Sequence, residues 1–248
     1  MSYLPIETTT IQRVISLGNW CSTKANINLY FHPENAWSKS APGMGDIFDW
    51  MCMVDYNYLV SLLQNNLDEI FEKKDLIITD NIFTDTGIPV LVNAIYNSKH
   101  RMIWPHLFDS LSELNLNTNT NIQSIHNPNS EVLKTIQSKF DYLKTKFLSA
   151  KEKNTLYIIT YDDHKHIPEI IRPEKPSMET ILNVRNALSQ MRGNNNFFLL
   201  VIMKEFSFTV FENIIFSCNE DSNSFYDNKT SSNIKSVFSK FKFDLSNK

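Results

Sequence analysis

Val14-Ile15-Ser16-Leu17-Gly18-Asn19-Trp20-Cys21-Ser22 sets the architecture expected of this chain. A short apolar run ends in glycine, and a cysteine follows three residues later, where a helix is expected to begin. A strand that turns into a helix in this way is the repeating step of an α/β protein. Ligand sites in open α/β sheets lie at the carboxyl ends of the strands, where such turns sit. The free N–H groups and the positive dipole end of the new helix can stabilise a thiolate or an oxyanion there. Cys21 is therefore the leading chemical candidate. The competing reading is a small packed hydrophobe, which is what most lone cysteines are.

Working outward, Arg13–Leu17 reads as a first strand and Cys21–Tyr30 as a helix, with Ala25, Ile27 and Leu29 inward. Asp55 is placed to cap a helix whose apolar positions Leu59, Leu62, Leu63, Leu67, Ile70 and Phe71 recur at helical spacing. Asp75–Thr79 and Val90–Tyr96 read as short strands. Ser130 is placed to cap a long helix presenting Leu133, Ile136, Phe140, Leu143 and Phe147. Thr155–Tyr161 is a strand, Ser177–Met191 a helix closed by Gly193 at its C′ position, and Phe197–Met203 another strand. Phe211–Ser217 reads as a further strand and Asn233–Phe241 as the last helix. Fully apolar strands alternating with helices predict a sheet covered on both faces. The expected fold is thus a three-layer α/β sandwich with a mostly parallel sheet and Cys21 in the turn after the first strand. Asn-rich tracts at 115–129 and 193–196 read as surface loops rather than linkers. One α/β domain over residues 1–248 is expected, with about 31–130 as a cap or insertion.

The 248 residues are 42% apolar and 12% aromatic, with 17 phenylalanines and 5 glycines, enough for a large core and unlike a disordered chain. A net charge of −3 and a pI near 6.1 give no electrostatic footprint for nucleic acid. The basic C-terminal segment with Lys235, Lys240, Lys242 and Lys248 reads as a solvated amphipathic helix. Three cysteines, Cys21, Cys52 and Cys218, do not make a disulfide framework and fit a reducing compartment. Met1–Ile11 lacks the apolar core of a signal peptide, and no apolar run reaches membrane-spanning length. A cytoplasmic protein without stable membrane insertion is expected. No Gly-x-Gly-x-x-Gly, Walker or Gly-x-Ser-x-Gly pattern is present, and neither a cofactor nor a metal is implied.

A cysteine nucleophile needs a base, and the base needs a group to orient it. His106, in Met102-Ile103-Trp104-Pro105-His106-Leu107-Phe108, follows an apolar run broken by proline and can present its imidazole at a strand end. His164 and His166, in Tyr161-Asp162-Asp163-His164-Lys165-His166, follow a strong strand, and a solvated polar loop is the simpler account of them. Asp49, between Phe48 and Trp50, is either partly buried with a partner or exposed on a loop; a buried carboxylate can orient an imidazole, and a cap at the approach to a helix is the simpler account.

Three blocks together, Ser16-Leu17-Gly18-Asn19-Trp20-Cys21, Phe48-Asp49-Trp50 and the Trp104–Phe108 segment, resemble a mainly bacterial family of unknown function labelled as papain-like cysteine peptidases. The similarity spans roughly residues 12–205. Ile47 stands where the family has proline, and Leu107 where an acidic residue is common. The resemblance implies Cys21 as nucleophile, His106 as general base and later acid, and Asp49 as the orienting carboxylate, with Asp163 the competing choice. It places the Cys21 N–H and the Asn19 amide in an oxyanion hole, with Trp50 beside the substrate. The expected activity is a thiol hydrolase or acyl transfer on an amide, ester or isopeptide of a peptide, protein or glycan. The alternatives are a non-catalytic α/β binding module and a transferase in bacterial surface polysaccharide synthesis. The sequence leaves the oligomeric state open.

Overall fold

Strands β9 (Thr155–Thr160) and β10 (Phe197–Ile202) are apolar almost throughout, and they form the middle of the main sheet. The computed structural model describes residues 4–18, 20–33, 46–49, 51–78, 82–83, 89–91, 95–104, 131–161, 172–218 and 232–245. The strands before β9 in chain order are β1 (Thr10–Ile11), β2 (Arg13–Ser16), β3 (Cys52–Met53), β4 (Leu76–Ile78), β5 (Ile82–Phe83), β6 (Pro89–Leu91), β7 (Ile95–Asn97) and β8 (Met102–Trp104). After β10 come β11 (Thr209–Phe211), β12 (Ile214–Ser217) and β13 (Lys242–Phe243). The helices are α1 (Trp20–Phe31), α2 (Tyr56–Gln64), α3 (Glu131–Leu148), α4 (Met178–Arg192) and α5 (Ser232–Phe238).

The main sheet has the order β11-β12-β10-β9-β2. Its β2–β9, β9–β10 and β10–β12 pairs are parallel, and only the edge strand β11 runs antiparallel. Alternation along β9 and β10 divides the core in two. Leu156, Ile158, Phe198, Leu200 and Ile202 meet Ile27 of α1 and Ile234, Val237 and Phe238 of α5. Tyr157, Ile159, Phe197, Leu199 and Val201 meet Leu59, Leu62 and Leu63 of α2, Phe140 and Phe147 of α3, and Ile181, Val184 and Leu188 of α4. Both faces of each strand are covered, which is why these strands carry no polar alternation. The chain is a three-layer α/β protein with a mostly parallel sheet.

Local signals account for most boundaries. The Asp55 carboxylate accepts from the Asn57 N–H at 2.8 Å and caps α2. Ser177 Oγ accepts from the Thr180 N–H at 3.1 Å, and Gly193 closes α4 in the left-handed conformation with φ +69°. The helix expected to carry Leu67, Ile70 and Phe71 stops at Gln64. Asn66 and Leu67 take positive φ, and the chain continues as turns that still bury those three side chains. Phe211–Ser217 is a hairpin rather than one strand, because Glu212 at φ +55° turns β11 into β12. Val90–Tyr96 likewise contributes to two strands, β6 and β7, which belong to different sheets. Strands β3, β8, β7 and β4 form an antiparallel sheet, and its Met53, Met102, Trp104 and Leu76 join the α2–α4 side of the core. There Phe140 of α3 stacks on Phe71 at 4.2 Å and meets Trp104 edge-on at 5.3 Å. Ser130, expected to cap α3, lies outside the described residues.

His100 sits in the turn between β7 and β8, 2% exposed, and neither ring nitrogen is hydrogen-bonded among the described residues. Its backbone N–H donates to Asn97 Oδ1 at 2.8 Å, and its ring packs edge-on against Tyr58. Burial pulls the imidazole below its ordinary value of 6.5, helped by Lys99 and opposed by Glu69 and Asp75. The unfolded chain therefore binds this proton first as the pH falls. His100 exerts no penalty above about pH 6.5, and stability declines below it, by at most about 1.4 kcal/mol per pH unit. Urea midpoints measured between pH 7 and pH 5 should fall, and should fall less in His100→Gln. Equal slopes for the two proteins would contradict a buried neutral His100.

Candidate functional site

The β2–α1 turn is fixed from several directions. The Leu17 N–H donates to the Ile158 carbonyl at 2.9 Å and extends the parallel ladder with β9. Gly18 follows at φ +91°, a conformation glycine adopts without the steric cost of a Cβ. A Cβ there would lie 3.3 Å from Met53 Cβ, so β3 packs directly against the turn. Ser16 Oγ accepts from the Gly18 N–H at 3.3 Å. Thr23 Oγ1 donates to the Gly18 carbonyl at 3.3 Å and pairs with the hydroxyl of Thr160, the last residue of β9. The turn, the start of α1 and the end of β9 are thereby tied together at the carboxyl edge of the parallel sheet. Cys21 is the second residue of α1. The other two cysteines differ in setting: Cys52 is fully buried in β3, and Cys218 is partly exposed after β12, its thiol donating to the Lys204 carbonyl at 3.5 Å.

Asp49 is buried with a partner, more completely than the partial burial anticipated for it. Its Oδ2 lies 2.6 Å from Lys24 Nζ of α1, with the two side chains 3% and 5% exposed. The same oxygen accepts from the Asp46 N–H at 2.8 Å, and the Asp49 N–H donates back to the Asp46 carbonyl at 3.1 Å. Asp46 in turn pairs with Arg13 of β2, and both side chains are buried. Arg13 also donates to the Lys146 carbonyl near the end of α3 at 2.6 Å. Phe48, beside Asp49 in sequence, is fully buried and packs edge-on against Phe147 of α3 at 5.2 Å. Arg13, Asp46, Asp49 and Lys24 thus link α3 in one helical layer, through the outermost strand β2, to α1 in the other.

The electrostatics of this chain are those of low-dielectric burial. Burial pushes the Asp46 carboxyl up despite the neighbouring Arg13 guanidinium, with Asp49 adding to the rise. Burial likewise pulls the Lys146 ammonium down, against the pull of Asp46. Asp46 Oδ2, Asp49 Oδ1 and Arg13 Nε are buried without a hydrogen-bond partner among the described residues.

Of the residues singled out from sequence, the structure brings Cys21 to the first turn of α1 and Asp49 to Lys24, three residues further along the same helix. Asn19, Trp50, His106, Asp163, His164 and His166 lie outside the described residues. Sequence reasoning missed Arg13, Asp46 and Lys24. The available signal was an arginine opening a short apolar run, which burial obliges to find a carboxylate or carbonyls. Among the described residues no three His, Cys, Asp or Glu side chains gather as metal ligands, and no helix is long and apolar enough to cross a membrane. No protein-family model, no curated protein and no solved structure matches the chain.

Proposed function

We propose that the chain is a thiol hydrolase or acyl transferase in which Cys21 is the nucleophile and His106 the base. One observation supports this reading above the others: Cys21 occupies the first turn of α1, directly after the Gly18 turn, at the carboxyl edge of the parallel sheet. The first N–H groups of a helix have no intrahelical acceptor and favour a thiolate in their first turn. In the proposed cycle His106 takes the thiol proton and Cys21 Sγ attacks the carbonyl carbon of an amide, ester or isopeptide. The Cys21 N–H and the Asn19 amide receive the oxyanion. Collapse expels the leaving group, which takes the proton from His106, and water or an acceptor amine releases the acyl group. Asp49 engages Lys24 and the Asp46 N–H through one oxygen and leaves its other oxygen unbonded among the described residues, free to orient the imidazole; Asp163 is the alternative orienting carboxylate.

The test is the pH dependence of iodoacetamide alkylation at each cysteine, read by peptide mapping. Cys21 should titrate below about 7.5 and react at pH 7 at least about tenfold faster than the partly exposed Cys218. His106→Ala should remove that advantage. A Cys21 that titrates near 8.5, indifferent to His106, would overturn the enzyme and favour a binding module.

A further inference from the structure

We propose that Lys24 is a positioning residue for Cys21, held by the buried chain Arg13–Asp46–Asp49 at the helix position three residues beyond the nucleophile. This rests on the reading of Cys21 as a reactive thiol. Three observations carry it. Cys21 and Lys24 stand three apart on α1, the spacing at which helix positions are neighbours. The charge chain joins the start of β2 to α1, and these are the two elements flanking the Gly18 turn. It therefore closes a ring around the segment bearing Cys21: β2, the turn and α1 by covalent chain, then Lys24, Asp49, Asp46 and Arg13 back to β2.

The third observation is that the chain is poorly built for stability. Buried ion pairs lose in desolvation much of what they gain in attraction, and apolar side chains of similar size often serve as well. Here Asp46 Oδ2, Asp49 Oδ1 and Arg13 Nε also forgo hydrogen bonds among the described residues. A group of buried charges kept in so unsatisfied a state fits the fixing of geometry and local field better than added stability. Among the described residues Lys24 pairs with Asp49 and interacts with Asp46 and Lys146.

The test uses the full chain and the pH profile of Cys21 alkylation, with Cys218 as internal reference. Lys24→Met removes the cation, and the Cys21 thiol should titrate about one unit higher. Asp49→Asn preserves an acceptor for the Asp46 N–H but leaves Lys24 unbalanced, and the thiol should titrate about one unit lower. Lys24→Arg should keep the native profile, and Cys218 should not move in any variant. If Asp49→Asn fails to fold, the Met and Arg variants at position 24 decide alone, because a buried Asp49 without Lys24 can take up a proton. A low native Cys21 value unmoved by Lys24→Met overturns this inference and leaves the nucleophile reading standing. A native Cys21 that titrates with Cys218 overturns both.

Discussion

Arg192→Met should lower the melting temperature by about 12 °C, from a loss on the order of 4 kcal/mol. The Arg192 guanidinium is buried at the end of α4, at the edge of the sheet opposite Cys21. One terminal nitrogen donates to the Ala150 carbonyl at 2.9 Å and to Tyr157 Oη at 3.0 Å. The other donates to the carbonyls of Lys151, Lys153 and Asn196 at 3.1, 2.8 and 3.1 Å. The same group lies 5.4 Å from the Phe197 ring centroid and 5.7 Å from that of Tyr157. It therefore ties the 3₁₀ turn Ser149–Glu152 and the segments entering β9 and β10 to the helix that connects them. Methionine fills the volume and leaves several carbonyls without donors. In Arg192→Lys the ammonium is a point donor that cannot reproduce the planar fork, and this variant should recover less than half of the loss. Circular dichroism melts check this, and a shift under about 3 °C for Arg192→Met would refute the clamp. Because the clamp is remote from α1, the Cys21 alkylation rate of the folded variant should equal that of the parent.

Gly18→Val should act at both levels at once. Its φ of +91° is strained for any residue with a Cβ, and that Cβ would press on Met53 Cβ at 3.3 Å. Strain and overpacking together cost on the order of 3 kcal/mol. Gly193→Ala is the natural comparison. There φ is +69°, but a Cβ meets nothing within 4 Å. The loss should be held to about 1 kcal/mol. The Gly18 variant should also lose Cys21 reactivity below its melting temperature, because the turn carries the start of α1. Equal melts for the two variants would show that the approach of β3 to the turn carries no weight. Normal alkylation in a destabilised Gly18→Val would separate the turn from the thiol's reactivity.

The parts of this fold that were legible in sequence are those whose signals are local. The runs of β9 and β10 are apolar because both faces are covered, and Ser177 and Gly193 bracket α4 with a cap at each end. Periodicity misled where tertiary packing outlived regular structure. Leu67, Ile70 and Phe71 keep a helical spacing and a buried face, yet the chain has already left the helix through positive φ at Asn66 and Leu67. The hairpin at Glu212 had only Asn213 as a turn marker, and no glycine flags the positive φ that Glu212 takes. The turn that places Cys21 was readable from Gly18 alone. The partners of Asp49 were not, since Lys24 and Arg13 reach it from segments that no local pattern connects to residues 46–49.

The position of β2 at the sheet edge has a kinetic consequence. Its partner in the sheet is β9, and Gln12 and Asn154, whose backbone groups bond where that ladder begins, lie 142 positions apart in the chain. Loops of that length close slowly, and the ladder cannot form until the second half of the chain exists. During synthesis the segment bearing Cys21 therefore waits, without its sheet, until β9 has left the ribosome. The thiol that stands first among the chemical candidates in the chain gains its sheet only after the chain has been made through β9.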